Sequence, residues 1–251
     1  MKLHTPSLCY YTSSLLPIPH GMFRRNGGTS SAPFASLNFS DDIGDQQERV
    51  QANRTRALQV LRLQSLISVR QVHADQVLVA QPAHLTNEAK GYDAIISTLS
   101  GVGLLIQQAD CQAVLLHAPR QEVVAAIHCG WRGSVTDIIG KTIQRLETTC
   151  GVKPADLRAA ISPSLGPCCA QFIHYQQELP SWMHVFQVRP RYFDFWAISQ
   201  HQLIAAGVPE HHIDIAAVCT RCDHNFFSYR RARHHSNGIT GRNGSIIGLP
   251  Q

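Results

Sequence analysis

The sequence predicts a layered α/β domain of the α+β kind, with mixed sheets and flanking helices, and three observations carry that prediction. First, short apolar runs recur in GVGLLIQQ, QAVLLHA and EVVAAIHCG across residues 101–130, punctuated by Pro119 and Gly130. Runs of this length between turn residues read as buried strands. Second, Val135, Ile138, Ile139, Thr142, Ile143 and Leu146 repeat at three and four, the spacing of an amphipathic helix, which Gly151 and Pro154 terminate. Third, no Pro/Ser/Gly linker divides the 251 residues, so one domain over 1–251 is expected, with 1–19 as a peripheral N-terminal segment.

The remaining elements follow in chain order. Pro17 and Pro19 make the entry extended or turning, and Arg24, Arg25, Gly27 and Gly28 form a basic turn. Glycines beside arginine either leave amides open to an anion or form an ordinary hairpin turn. Asn38 and Asp41 lie in a polar loop ending at Asp45. Asp45 with Glu48 resembles an N-cap and its N3 partner, opening a helix whose Val50, Ala57, Leu58 and Leu61 share a face to about Leu66. Residues 69–80, VRQVHADQVLVA, read as a strand or bent strand pair containing His73. GYDAIIST follows as a strand with Asp93 at its turn. Beyond the central helix, residues 158–169 form a strand running into a Pro/Gly-rich loop. Asp194 caps FWAISQHQLIAA, which stops at Gly207 and Pro209. HIDIAAVCT, FFSYRR and SIIGL complete the predicted sheet elements.

Composition removes several classes of function. Lys and Arg exceed Asp and Glu by 22 to 17 without a charge block, so nucleic acid is not the expected partner. Arg230, Arg231 and Arg233 read as a solvated turn or as an anion site for a small phosphate-bearing substrate. No apolar run of about 18 residues is present, so no membrane span is expected. The first twenty residues lack the basic and apolar regions of a signal peptide, which makes the cytoplasm the expected location. Eight Cys in a chain of this length fit reduced thiols better than a disulfide framework.

His73, Cys111 and His128 offer the nitrogen and sulfur donors that suit zinc, at spacings that require assembly from the ends of different strands. A competing chemistry uses Cys111 or Cys129 as nucleophile, His128 or His73 as base, and Asp93 or Asp110 as its orienting group. The two are exclusive at Cys111, because a thiolate held on zinc is a poor free nucleophile. Cys219-x-x-Cys222, followed by His224, is half of a zinc-knuckle or redox-pair spacing. H-E-x-x-H, Walker and G-x-S-x-G sequences are absent.

The blocks HGMFRRNGG, SLNFSDDIGD, QVHADQV, GYDAIIS, ADCQAVLL, HCGWRG, ISPSLGPCC, FFSYRR and Gly241-Arg242, spanning about 20–247, resemble in order those of the YfiH/DUF152 family. That family was formerly labelled polyphenol oxidase or laccase-like and is now described as zinc-containing purine nucleoside phosphorylases. The resemblance implies a single α/β domain related to cysteine-hydrolase-like folds, with zinc on His73, Cys111 and His128. It implies phosphorolysis of adenosine, inosine and S-methyl-5′-thioadenosine, and deamination of adenosine, with a purine nucleoside and phosphate as the small-molecule partners. Asp93, Asp110 and Arg132 are the expected catalytic residues; Arg25, Asn38, Trp131 and Arg230 are the expected substrate contacts. Copper in place of zinc, a copper-dependent phenol oxidase and a cysteine hydrolase of peptide or cell-wall amides are the alternatives. Two departures stand out: Cys129 replaces the alanine of the usual H-A-G-W-R-G, and Gln112-Ala113 replace the Val-Pro of A-D-C-V-P. The oligomeric state is left open.

Overall fold

The computed structural model describes residues 1–5 and 7–251. In chain order the strands are β1 (Lys2–His4), β2 (Tyr10–Thr12), β3 (His20–Phe23), β4 (Ser65–Arg70), β5 (Val77–Val79), β6 (Ala89–Lys90), β7 (Ala94–Ser97), β8 (Val102–Gln108), β9 (Gln112–Ala118), β10 (Val123–Cys129), β11 (Arg158–Ile161), β12 (Gln187–Arg189), β13 (Tyr192–Phe193), β14 (Ile213–Ile215) and β15 (Asn243–Gly248). The helices are α1 (Gln47–Leu61), α2 (Trp131–Val135), α3 (Ile138–Cys150), α4 (Tyr175–Glu178), α5 (Phe195–Ala205) and α6 (Tyr229–His235). They build the α+β domain that the apolar runs predict, around two mixed sheets. One has the order β1-β2-β3-β15-β8-β4-β6 and the other β14-β11-β9-β10-β7-β5.

The pleat explains why the central runs are apolar at every position. Successive strand residues face opposite ways. Leu104, Ile106 and Ile247 of the first sheet therefore meet Ile95, Leu115 and Ala126 of the second in a core between the sheets. Their neighbours Leu105 and Ile246 turn outward, with Phe23, onto Ala57 and Leu61 of α1. On the other side, Ile96, Leu116 and Ile127 turn onto Ile138, Ile143 and Leu146 of α3 and Leu203 of α5. The layers thus run helix, sheet, sheet, helix, and strands covered on both faces lose the polar alternation of a half-exposed strand.

Strand register places the chemistry. The β9–β10 hairpin pairs Val123 with Ala118 at its closed end and Cys129 with Gln112 at its open end. Cys111, just before β9, therefore lies near His128, the penultimate residue of β10. Antiparallel pairing of β7 with β10 sets Ala94 opposite Ile127, and the His128 amide donates to the Asp93 carbonyl at 2.7 Å. Parallel pairing of β5 with β7 begins at Val77 and Ala94, which brings the loop 71–76 to the same edge.

Several expected elements differ. Helix α1 begins at Gln47 instead of using Asp45 as its cap, because the Asp45 carboxylate accepts from Asn38 Nδ2 and the Gln46 amide, each at 2.8 Å. It ends at Leu61, where Arg62 takes a left-handed φ of 56°. Residues 69–80 hold a pair of strand segments and not one strand, but β4 and β5 belong to different sheets, and His73 sits in the loop between them with φ 60°. FFSYRR is not a strand, since Ser228 caps α6 by accepting from the Arg231 amide at 3.2 Å. The central helix starts at Ile138, after an Asp137 cap with φ 55° separates it from the short α2. The Asp194 cap of α5 forms as expected, accepting from the Ala197 amide at 3.0 Å. The N-terminal segment supplies the edge strand β1 and its neighbour β2, and Leu8 and Leu16 are buried. Among the described residues, no helix is long and apolar enough to cross a membrane.

Candidate metal centre and substrate cavity

The donor atoms of His73, Cys111 and His128 lie within 4.8 Å of one another. Cys111 Sγ is 3.9 Å from His73 Nε2, and the two imidazoles meet edge to face with centroids 4.8 Å apart. Behind them sits Asp93, wholly buried. Its carboxylate accepts from the amides of Val72 (3.2 Å), His73 (2.9 Å) and Ala74 (2.8 Å) and from His128 Nδ1 (2.8 Å). One carboxylate thus shapes the loop that carries His73 and fixes the ring of His128, leaving Nε2 to face the cluster. The backbone is committed to this arrangement as well. His73 and Asp110 have positive φ, 60° and 85°, a region that costs non-glycine residues free energy. Gly130 is required by space: a Cβ there would stand 2.9 Å from Cys111 Sγ and 3.3 Å from His73 Cδ2.

Electrostatics favour a thiolate at this point. Burial raises the Cys111 pKa, but the charge and hydrogen bonding of His128 and His73 outweigh it and bring the thiol down to about 6. Burial works against charge on His128 too, yet the facing Cys111 and the Asp93 carboxylate raise its pKa to about 9. Burial likewise opposes ionisation of Asp93, while His128 and the amides of Ala74 and Val72 hold its carboxyl below the usual range. These features fit a metal ion. The ligand form of Cys111 is favoured, the donors are two imidazoles and a thiolate, and a carboxylate backs one imidazole in the manner of metal-ligating histidines.

The cluster opens into a cavity of about 1130 Å³. Trp131, Phe172, Phe195 and Tyr229 give it aromatic wall, and Arg70, Arg132, Arg230, Arg233 and Arg242 give it positive charge. Arg132 lies over the Trp131 ring at 4.6 Å. Trp131, Arg132, Arg230 and Asp110, named from the sequence, line this cavity. Both carboxylate oxygens of Asp110 are nevertheless engaged, accepting from Thr220 Oγ1 at 2.7 Å and from the Arg230 amide at 2.5 Å. Arg230 donates to the Gln171 carbonyl at 3.1 and 3.2 Å.

Arg25 and Asn38 lie outside the cavity wall. The Arg25 guanidinium donates to the Ala35 carbonyl at 2.8 and 2.5 Å and stacks on Phe227 at 4.5 Å, so it braces the basic turn instead of presenting itself to an anion. Asn38 is fully buried, and its amide donates to Ser40 and Asp45 while its oxygen accepts from the Ser40 and Arg242 amides. It positions Arg242 without touching the cavity. Arg233 lines the cavity with Arg230, both from the basic turn that the sequence offers as an anion site. Arg70, Phe172 and Arg242 escaped individual selection from the sequence. For Arg242 the signal was present in Gly241-Arg242; for the other two no spacing marks them. Cys129 belongs to the α3-side core, where it meets Ser134 at 3.3 Å, and burial pushes its thiol up to about 12. That leaves it a poor nucleophile.

Fold and site together define a class: an α+β domain of two facing sheets with a His–Cys–His donor set at the mouth of one hairpin. A family model described as multi-copper polyphenol oxidoreductase laccase matches residues 19–250, and the chain belongs to that family. It is 32% identical to "Purine nucleoside phosphorylase YlmD" of Geobacillus stearothermophilus, with 91% of this chain and 89% of that protein aligned. It is 31% identical to a "Purine nucleoside phosphorylase" of Bacteroides thetaiotaomicron, over 87% of this chain and 88% of that one. The solved structure of the Bacillus licheniformis hypothetical protein YfiH superposes with a TM-score of 0.89 at 26% identity, covering 98% of each chain.

Proposed function

We propose that this protein is a zinc-dependent purine nucleoside phosphorylase acting on adenosine, inosine and S-methyl-5′-thioadenosine, with adenosine deaminase activity. The observation that carries the reading is the convergence of His73, Cys111 and His128 at the floor of a cavity walled by aromatic rings and arginines. The relatives named as purine nucleoside phosphorylases support the same substrate class. Zinc is preferred to copper on the donor set. The centre has two imidazoles and one thiolate, and no methionine lines the cavity among the described residues to serve as a weak axial ligand of the blue-copper type.

His73, Cys111 and His128 would hold the ion, which when bound supplies Lewis acidity for both reactions. Trp131 and Phe172 flank the cavity with ring faces suited to a purine. In phosphorolysis, phosphate attacks ribose C1′ as the bond to the purine breaks. Arg132 and Arg233, whose guanidinium groups have no protein acceptor among the described residues, offer that phosphate paired donors, and Arg242 adds further positive charge to the cavity wall. Asp93 and Asp110 act as positioning residues, because every oxygen of each already accepts from a protein donor. Asp93 orients His128, and Asp110 anchors the first turn of α6, from which Arg230 and Arg233 project.

The test is product analysis after incubating metal-loaded protein with adenosine, with and without phosphate. Adenine with ribose 1-phosphate, formed only with phosphate, and inosine, formed in either case, are the expected products. Failure to form either, together with turnover of an amide and trapping at Cys111, would overturn the reading in favour of a cysteine hydrolase.

A further inference from the structure

A second group of donors lies away from the floor of the cavity. The sulfur atoms of Cys168, Cys169, Cys219 and Cys222 all fall within 4.8 Å of one another. Cys168 and Cys222 are 3.7 Å apart, and Cys169 and Cys222 are 3.4 Å apart. We propose that these four cysteines form a second, structural zinc site, distinct from the His73–Cys111–His128 centre.

Distance separates this from other uses of four thiols. A disulfide needs sulfurs about 2.05 Å apart. A tetrahedron with zinc–sulfur bonds of about 2.3 Å has sulfur–sulfur edges of about 3.8 Å. The separations here, 3.4 and 3.7 Å for two pairs and none above 4.8 Å, are far longer than a disulfide and lie around the tetrahedral edge. Core packing does not account for the group either: Cys168 and Cys222 are exposed and Cys219 is half-buried, where a cysteine used as a small hydrophobe is normally enclosed. One cation also stands beside the group. Arg221 Nη1 donates to Cys169 Sγ at 3.5 Å, the kind of outer hydrogen bond that steadies a metal-bound sulfur.

The local backbone is built to present the sulfurs. Residues 166–169 form a tight turn in which the Cys169 amide donates to the Gly166 carbonyl at 2.9 Å. Gly166 allows it, since a Cβ there would fall 2.8 Å from Trp196 and 3.0 Å from Cys219 Cβ. The second turn closes with the Cys222 amide on the Cys219 carbonyl at 3.1 Å, and a parallel bridge joins Ser164 to Cys219. Each turn contributes two donors, and all four ligand positions are filled by protein, as in a closed structural site. Binding is balanced without electron transfer: one Zn²⁺ and four thiols give one tetrathiolate complex and four protons released to the buffer.

Its role follows from what the turns carry. The first leads directly into Ala170, Gln171 and Phe172 of the cavity wall. The second carries Thr220, which donates to Asp110 beside Cys111, and its Thr220 and Arg221 carbonyls accept from Arg231 of α6. Zinc here would staple the cavity wall to the element that supplies its arginines.

Metal content and cysteine alkylation of the full-length reduced protein test the site without reference to turnover. A His73→Ala/Cys111→Ser/His128→Ala variant is expected to keep about one zinc per chain, with the four cysteines resisting alkylation until a strong chelator is added. Cobalt exchanged into that variant should give the intense charge-transfer absorption of a four-thiolate site. A Cys168→Ser/Cys222→Ser variant should lose one zinc relative to wild type, and Cys219→His, which keeps a ligand, should retain it. The proposal is overturned if the triple variant carries no zinc while its four cysteines alkylate freely. It is equally overturned if intact mass shows the two-hydrogen deficit of a disulfide in place of bound metal. Neither outcome bears on the nucleoside reaction, which depends on other ligands.

Discussion

Replacing Asp93 by Asn changes almost no volume and tests whether one carboxylate organises the metal centre. Oδ1 accepts from the His73 amide and His128 Nδ1, and Oδ2 accepts from the Val72 and Ala74 amides. An amide side chain has one oxygen and one NH₂, so one of these pairs must face a donor. If the oxygen stays with His128, the amides of exposed Val72 and half-buried Ala74 lose their acceptor. An unsatisfied buried donor costs about 1–3 kcal/mol, and with Val72 open to water the fold loses about 1–3 kcal/mol in all. If the side chain flips, the NH₂ faces Nδ1 and drives the imidazole proton onto Nε2, the nitrogen that faces Cys111. Metal affinity should then fall about 10- to 100-fold, the usual effect of removing a partner behind a histidine ligand. Competition with a chromogenic chelator reads the affinity and urea denaturation reads the stability. An Asp93→Asn protein matching wild type in both would refute the account of this residue.

Three further outcomes follow. Gly130→Ala forces a Cβ to 2.9 Å from Cys111 Sγ, so chelator competition should show weakened metal binding, with about 1–3 kcal/mol lost in denaturation. If the proposed phosphorolysis holds, Asp110→Asn should leave the metal stoichiometry of the centre unchanged but raise the phosphate KM more than it lowers kcat, because it frees the first turn of α6; an unchanged KM would contradict the anchoring role. Stability should also fall in mild acid. His117 is buried with no partner for Nδ1, and burial, then the charges of Arg158 and His20, push its pKa down to about 4. The unfolded chain, with a value of about 6.5, binds that proton more readily. The contribution is therefore fully present above about pH 6.5 and is lost as pH falls towards 4, amounting to about 3 kcal/mol. Denaturation midpoints of wild type and His117→Gln across this range should differ in slope; parallel curves would exclude His117 as the source.

The central strands and the amphipathic spacing of α3 were readable because burial on both faces or on one stripe leaves a pattern in residue type. The His73–Cys111–His128 set was readable through ordered sequence blocks, not through local spacing, since strand pairing assembles it. Ser228 misled by its surroundings: FFSYRR has strand-like residue types, yet one serine hydroxyl begins a helix there. Arg25 misled through its neighbours Gly27 and Gly28, whose open turn suggests an anion while the guanidinium is taken up by the Ala35 carbonyl. Cys168-Cys169 and Cys219-x-x-Cys222 are each weak motifs. The bridge from Ser164 to Cys219 brings them together, and no one-dimensional signal reports it.

The β9–β10 hairpin divides its own tolerance for change. Its open end fixes where a thiol and an imidazole meet, whereas its closed end, the exposed turn at Pro119 and Arg120, lies at the opposite extremity of both strands. Extra residues spliced into that turn would extend a loop into solvent and leave the register, hence the ligand spacing, as it was. A single residue spliced into either strand would exchange the core-facing and helix-facing side chains along the rest of its length. A reporter peptide can therefore be grafted at the remote tip with the reaction chamber undisturbed.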